Sequence, residues 1–201
     1  IKKYIPRATV LPIFVDVEQI RTAPATIDLH AKYPQLEKII LMASRLTREK
    51  NFPLALAAFA EVVKKYPKMG LVIAGDGPFR EFLSGRENVV VEGYVPNLAS
   101  YYKTADVFLN TSNYEGYGMT LVEAAAAGCP IVTTDVGCVG DVLTGKDVLI
   151  VPVGDKQILV AALERSLRGD IPKPSISLGS KQEYLTKMKQ AWEECCRSRL
   201  K

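Results

Sequence analysis

Short apolar runs alternate along this chain with stretches in which apolar positions recur at helical spacing. The runs at residues 38–43, 70–74, 89–92, 107–110, 130–133 and 148–151 are continuous rather than alternating. Continuity of that kind is what parallel strands need when both faces of the sheet are covered. Between the first two runs lies 51–66, where Phe52, Ala55, Leu56, Phe59, Val62, Val63 and Tyr66 form one stripe. Glu61, Lys64 and Lys65 fall off it, as on a helix with one face in a core. Asn51 suits an N-cap, and Pro53 is tolerated in a first turn. Further helices are predicted over 98–104, 120–127, 155–167 and 181–197. Strand and helix taking turns in this way predict an α/β fold: a doubly wound, Rossmann-like parallel sheet in a three-layer α/β/α arrangement. The stretch 169–180, with Pro172, Pro174 and Gly179, reads as a linker to the last helix. Residues 1–36 show little periodicity, although 9–15 would fit an extra strand.

Composition narrows the picture without changing it. The chain has 201 residues, 48% of them hydrophobic and 24% charged, the range of an ordinary globular domain. The net charge of +4 is spread out, with no basic stripe interleaved with aromatics, so nucleic acid is not an expected partner. A mild positive balance suits a small anionic ligand. The four cysteines, Cys129, Cys138, Cys195 and Cys196, have neither zinc spacing nor a disulfide pattern. They read as free thiols in a reducing compartment, and no metal or cofactor is expected. No apolar run reaches the roughly 18 residues of a membrane span, and no signal peptide opens the chain, so the expected location is cytoplasmic. Ile1 in place of an initiator Met raises the expectation that this is part of a longer protein.

In an open parallel sheet, ligands bind beyond the carboxyl ends of the strands. Five segments collect at that edge. They are Ser44-Arg45-Leu46-Thr47-Arg48-Glu49-Lys50, Gly75-Asp76-Gly77-Pro78, Gly93-Tyr94-Val95-Pro96, Thr111 through Gly118, and Thr134-Asp135-Val136-Gly137-Cys138. A dinucleotide site would place a Gly-x-Gly-x-x-Gly turn after the first strand, where this chain has Ala43-Ser44-Arg45-Leu46. A P-loop is likewise absent. The glycine-rich turn instead precedes the helix at 120–127, as Glu115-Gly116-Tyr117-Gly118-Met119-Thr120-Leu121-Val122-Glu123. A helix that starts there would aim free N–H groups and its positive dipole end at a phosphate.

That stretch, two acids with seven residues between them, followed by Ala124-Ala125-Ala126-Ala127-Gly128-Cys129-Pro130, resembles the signature of retaining glycosyltransferase family 4. Ser44-Arg45-Leu46 with Lys50 resembles that family's basic loop, Gly75-Asp76-Gly77-Pro78 its glycine turn, and Gly154-Asp155 a further match. The resemblance covers roughly residues 9–168 and implies the C-terminal, donor-binding half of a two-domain GT-B fold. It divides the chain into an entry segment (1–36) from an N-terminal acceptor domain, a nucleotide-sugar-binding domain (37–168), and a linker with a final helix (169–201). It implies that Arg45 and Lys50 contact a donor diphosphate, Lys50 favouring the departing phosphate. Glu123 would accept from the ribose hydroxyls, and Glu115 would lie against the transferred sugar. The backbone of Gly118, Met119 and Thr120 would hold phosphate or sugar, Gly75 would shape the turn beneath, and Val95 would meet the base through its main chain. The implied reaction is transfer from a nucleoside-diphosphate sugar, independent of metal. The implied partners are that donor, the absent N-terminal domain, and for the full-length enzyme a membrane surface it can attach to peripherally. An enzyme so divided is expected to be inactive as this half alone. Two places depart from the family's pattern: Pro12-Ile13-Phe14 where Asn-Gly often follows the proline, and Gly137-Cys138 where a Gly-Gly turn is common.

Plainer readings stand beside these. Thr120 and Glu123 have the spacing of a capping box, so Glu123 could serve only to start a helix. Arg45 and Lys50 could be solvated loop charges. Gly75 and Gly77 could make nothing more than a tight turn. Tyr101 and Tyr102 read as packing residues, and His30 lies outside all of the loops. At the level of function, the alternatives are a sugar-nucleotide epimerase on the same fold and a non-catalytic nucleotide-binding module.

Overall fold

The computed structural model describes residues 13–198. In chain order these form α1 (Val17–Thr22), α2 (Leu29–Lys32), β1 (Lys38–Ala43), a 3₁₀ turn at Arg48–Lys50 and α3 (Phe52–Val63). Then come β2 (Met69–Ala74), α4 (Arg80–Leu83), β3 (Val89–Gly93), α5 (Leu98–Thr104) and β4 (Val107–Asn110). The rest is α6 (Met119–Ala126), β5 (Ile131–Thr134), β6 (Leu149–Val151), α7 (Lys156–Leu167) and α8 (Lys181–Ser198). The described residues divide into two units, one of Val17–Ile176 and the other of 13–16 with 177–198.

In the larger unit six strands form one sheet in the order β3-β2-β1-β4-β5-β6, and every neighbouring pair is parallel. The chain starts in the middle, builds outward to β3, then crosses back to the other side of β1. This is the doubly wound order, and its reversal between β1 and β4 opens a crevice at the carboxyl edge. The helices separate into layers: α3 packs with α7, while α5 and α1 pack on α6. Burial on both faces explains the continuous runs, for β2 is buried throughout and β1 everywhere except its first residue. Tyr102 of α5 meets Phe108 of β4 edge-on, with ring centroids 5.3 Å apart at 80°.

Each strand read from the sequence is present, with bounds moved by at most a residue or two. Asn51 caps α3 by accepting from the Leu54 N–H, with Pro53 in the first turn. Three elements depart from the reading. Little periodicity marks residues 1–36 and no helix is read there, yet α1 and α2 form; Asp28 caps the latter by accepting from the His30 N–H. The short α4 was not foreseen either, because four residues show no period. The extra strand at 9–15 lies outside the described residues up to 12, and residues 13–15 are not in a strand.

In the smaller unit Ser180 and Glu183 start α8 reciprocally. The Ser180 N–H donates to Glu183 Oε2 at 2.7 Å and the Glu183 N–H to Ser180 Oγ at 3.2 Å. Phe14 and Tyr184 are in ring contact there, with centroids 5.6 Å apart. Among the described residues, no helix is long and apolar enough to cross a membrane.

Candidate functional site

The loops at the carboxyl edge are tied to one another by their main chains. Gly75 after β2 donates its N–H to Gly93 O at the end of β3, at 2.7 Å. Leu46 after β1 donates to Asp76 O at 2.8 Å, and Phe79 donates to Leu46 O at 3.0 Å. Such close approach has a steric requirement. Gly75 has φ +143°, and a Cβ there would lie 1.8 Å from Ser44 O, so no other residue fits.

Lys50 ends the 3₁₀ turn after β1, and its backbone is held from the β4 side. Thr111 Oγ1 donates to Lys50 O at 2.8 Å, and the Asn113 N–H donates to Glu49 O at 2.8 Å. The same loop carries Glu115, and the two side chains meet: Lys50 Nζ lies 2.6 Å from Glu115 Oε1. Their side chains are only 12% and 11% exposed, a setting in which an unpaired charge is costly. Ser112 Oγ lies 2.7 Å from the same Glu115 oxygen and 2.8 Å from Asn110 Oδ1, and its single proton can serve one of them. Below, Thr134 Oγ1 donates to Ser112 O and Asn110 Nδ2 to Thr133 Oγ1. Both contacts to the Glu115 carboxylate fall on Oε1. Among the described residues Oε2 has no hydrogen-bond partner.

Gly118 is the N-cap of α6, in the left-handed region at φ +86°. Helix geometry leaves the first N–H groups, those of Met119 and Thr120, without intrahelical partners. They open at the same edge as Lys50 and Glu115. With the cap at Gly118, Thr120 already lies inside the first turn, so the Thr120–Glu123 capping box does not form. Glu123 instead receives a hydrogen bond from across the layer: Tyr102 Oη donates to Glu123 Oε2 at 3.1 Å. Burial raises the Glu123 carboxyl above its ordinary range, and the Tyr102 bond opposes the rise. Tyr102 itself, almost fully enclosed, is pushed well above the usual phenol value by burial first and by Glu123 second.

A carboxyl with a raised folded-state pKa holds its proton more tightly folded than unfolded. Its favourable contribution is complete below the unfolded pKa and is lost as pH rises through the folded one. At neutral pH Glu123 therefore costs stability, the opposite of what a capping residue does. Glu123→Gln is expected to raise the melting temperature at pH 7 and to change it much less near pH 4. A lower melting temperature at pH 7 would return Glu123 to a structural role.

The other sequence candidates are placed less tightly. Arg45 is 81% exposed, its nearest acid Glu49 at 3.8 Å, and Glu49 is itself engaged by Thr47 Oγ1 at 2.6 Å. Val95 is half-buried in the turn after β3, and Met119 is largely exposed at the start of α6. The structure thus brings Lys50 and Glu115 into contact and sets Glu123 in a separate, partly enclosed position on α6. Reading the sequence missed Ser112, Asn110 and Tyr102. The first two carry a signal, being polar residues at the end of an otherwise apolar run. Tyr102 carries none, because its partner lies on another helix. Cys129 and Cys138 are buried free thiols, raised to about 12 and about 11 by burial, while Cys195 and Cys196 are exposed. Among the described residues, no group of three His, Cys, Asp or Glu side chains is arranged to hold a metal ion.

With this geometry the chain was compared with known proteins. Residues 37–169 match the family model described as glycosyl transferases group 1. Alpha-monoglucosyldiacylglycerol synthase of Streptococcus pneumoniae is 33% identical over 137 residues, which is 64% of this chain and 31% of that protein. The chain thus spans about a third of the length of that curated relative. Among solved structures, the C-terminal domain of a glycosyl transferase group 1 family protein from Francisella tularensis superimposes with a TM-score of 0.65. It is 18% identical, covering 77% of this chain and 88% of that one. HepE of Anabaena, in complex with UDP-glucose, gives a TM-score of 0.64 at 21% identity, covering 77% of this chain and 46% of that one. These likenesses establish the fold as the Rossmann-like α/β architecture of GT-B glycosyltransferases.

Proposed function

Because the chain belongs to the glycosyl transferases group 1 family, we propose that it is the C-terminal, donor-binding half of a retaining GT-B glycosyltransferase. Its full-length form would move a sugar from a nucleoside diphosphate to an acceptor, keeping the anomeric configuration. The observation that carries the reading is the nearly buried Lys50–Glu115 pair beside the start of α6. An ammonium group, a carboxylate with one oxygen unengaged and a helix N-terminus form a site that accepts a sugar attached to a phosphate. The coverage of the Francisella C-terminal domain and the UDP-glucose held by HepE support the same reading.

Each residue then has a physical task. As the bond from the anomeric carbon to the leaving oxygen lengthens, negative charge gathers on the diphosphate. Lys50, Arg45 and the N–H groups of Gly118, Met119 and Thr120 meet that charge without a metal ion. Positive charge gathers on the sugar ring, and Glu115 Oε2 faces it. Glu123 accepts from the ribose hydroxyls. The main chain at Val95 meets the base, and Gly75 keeps the basic loop close to the glycine turn. The acceptor, and any membrane surface that presents it, belongs to the other half of the enzyme. The name of the pneumococcal relative, a diacylglycerol glycoside synthase, supports a membrane-borne acceptor.

The test is calorimetry of this 201-residue chain with UDP, GDP and ADP and the corresponding sugars. One nucleoside diphosphate is expected to bind weakly, about micromolar to millimolar, with affinity falling as salt is added. No appreciable sugar transfer should accompany it. Absence of binding to all three, or efficient transfer to a defined acceptor by this chain alone, would refute the proposal.

A further inference from the structure

We propose that Tyr102 is a positioning residue for donor recognition: it fixes the Glu123 carboxylate by one oxygen so that the other addresses the ribose. The inference rests on the donor-binding reading and adds to it a residue whose type and place in the chain give no hint of such a role.

Tyr102 is 1% exposed, and its ring is held edge-on against Phe108 of β4. With the ring immobile, the hydroxyl keeps only rotation about its C–O bond. Its partner is Glu123 Oε2, 3.1 Å away, reached from α5 across to α6. Among the described residues, no other side chain bonds this carboxylate, and Tyr102 is the titratable group that acts on it. Among the described residues, Oε1 has no hydrogen-bond donor. The pattern repeats that of Glu115, which is also anchored through one oxygen while the second is unengaged.

Packing alone does not account for the arrangement. Phenylalanine would fill the same space without a buried hydroxyl, and a half-buried carboxylate next to it is unfavourable. A cross-link between α5 and α6 could be made by two apolar side chains at no such cost. What the hydroxyl adds is direction: a carboxylate free to rotate would meet a ribose diol in several orientations, whereas a tethered one presents a single oxygen. Pre-organisation of this kind raises affinity by removing the cost of ordering on binding.

The experiment uses whichever of UDP, GDP and ADP binds the parent chain best, together with its 2′,3′-dideoxy form. Tyr102→Phe is expected to weaken binding of the normal nucleotide by about threefold to tenfold, the cost of ordering one freed side chain on binding. Binding of the dideoxy form should change by less than about twofold, so the ribose preference shrinks. Without the Tyr102 bond, the Glu123 carboxyl rises further. The pH below which nucleotide affinity falls should therefore move upward, which a purely structural loss would not produce. Glu123→Ala should abolish the preference by itself, and adding Tyr102→Phe to it should change affinity no further, since both act through one interaction. An unaltered ribose preference and acid limb in Tyr102→Phe, with Glu123→Ala still abolishing the preference, overturns the role of Tyr102 alone. A parent chain with no ribose preference removes the assignment of Glu123, and the proposal for Tyr102 with it.

Discussion

Glu115→Gln is expected to bind the nucleoside diphosphate more tightly than the parent chain while losing transfer in the full-length enzyme. The Lys50 ammonium is engaged by Glu115 at 2.6 Å, with both groups mostly out of solvent. A diphosphate must compete with that carboxylate for Lys50 and approach it against like charge. Neutralising Glu115 removes both obstacles, and an affinity gain of about threefold to tenfold follows, or roughly 1 kcal/mol. On the proposed donor-site reading, transfer should fall by on the order of a hundredfold or more, because the charge placed opposite the developing cation would be gone. Lys50→Met should act in the other direction, weakening nucleotide binding by about ten- to a hundredfold. It also strands a nearly buried carboxylate, at a stability cost of about 3 kcal/mol. Combining the two should restore stability and leave binding weak. Calorimetry and thermal melts on the four proteins check this. Equal weakening by both single variants would mark the pair as a structural salt bridge.

The second large effect is expected at Gly75. Alanine there would put a Cβ 1.8 Å from Ser44 O at φ +143°, a clash with backbone that no side-chain rotation relieves. Backbone strain and overpacking together amount to about 3 kcal/mol or more. For a domain of this size, that is a fall in melting temperature of roughly 10 °C. The Ser44–Gly75 approach also sets where the basic loop leaves β1, so nucleotide affinity should drop in the protein that still folds. Gly85, where a Cβ would meet nothing within 4 Å, is the control; being at φ +75° it carries backbone strain without the clash. A Gly75→Ala protein no less stable than Gly85→Ala would show that the turn can open without penalty.

How much of this was legible in the sequence depended on the range of the interactions. The strands announced themselves because burial on both faces demands unbroken apolar runs, as in Ile39, Ile40 and Leu41. Asn51 as a cap is a contact over three residues, and three residues can be read directly. The start of α6 was legible to within a residue from the glycine turn before its apolar run; the capping box that Thr120 and Glu123 spell does not form, because Gly118 takes the cap with a positive φ that only the backbone reveals. Lys50 and Glu115 were each nominated, yet their contact spans 65 positions and became visible only after folding. Tyr102 was assigned to packing because a buried tyrosine and a tethering tyrosine look identical in one dimension. The helices before β1 were missed because α1 and α2 are six and four residues long, too short for a period to register.

The main-chain bonds that tie the edge loops together bear on how this protein can be altered. Leu46 holds Asp76, Gly75 holds Gly93, and Asn113 holds Glu49. The segments after β1, β2, β3 and β4 therefore behave as one casting rather than four interchangeable parts. A designer seeking a new donor by grafting the 44–50 loop from a relative would import a backbone with no counterpart on either side. Only a transplant of all four segments, or single side-chain changes that leave the main chain untouched, would keep the mould intact.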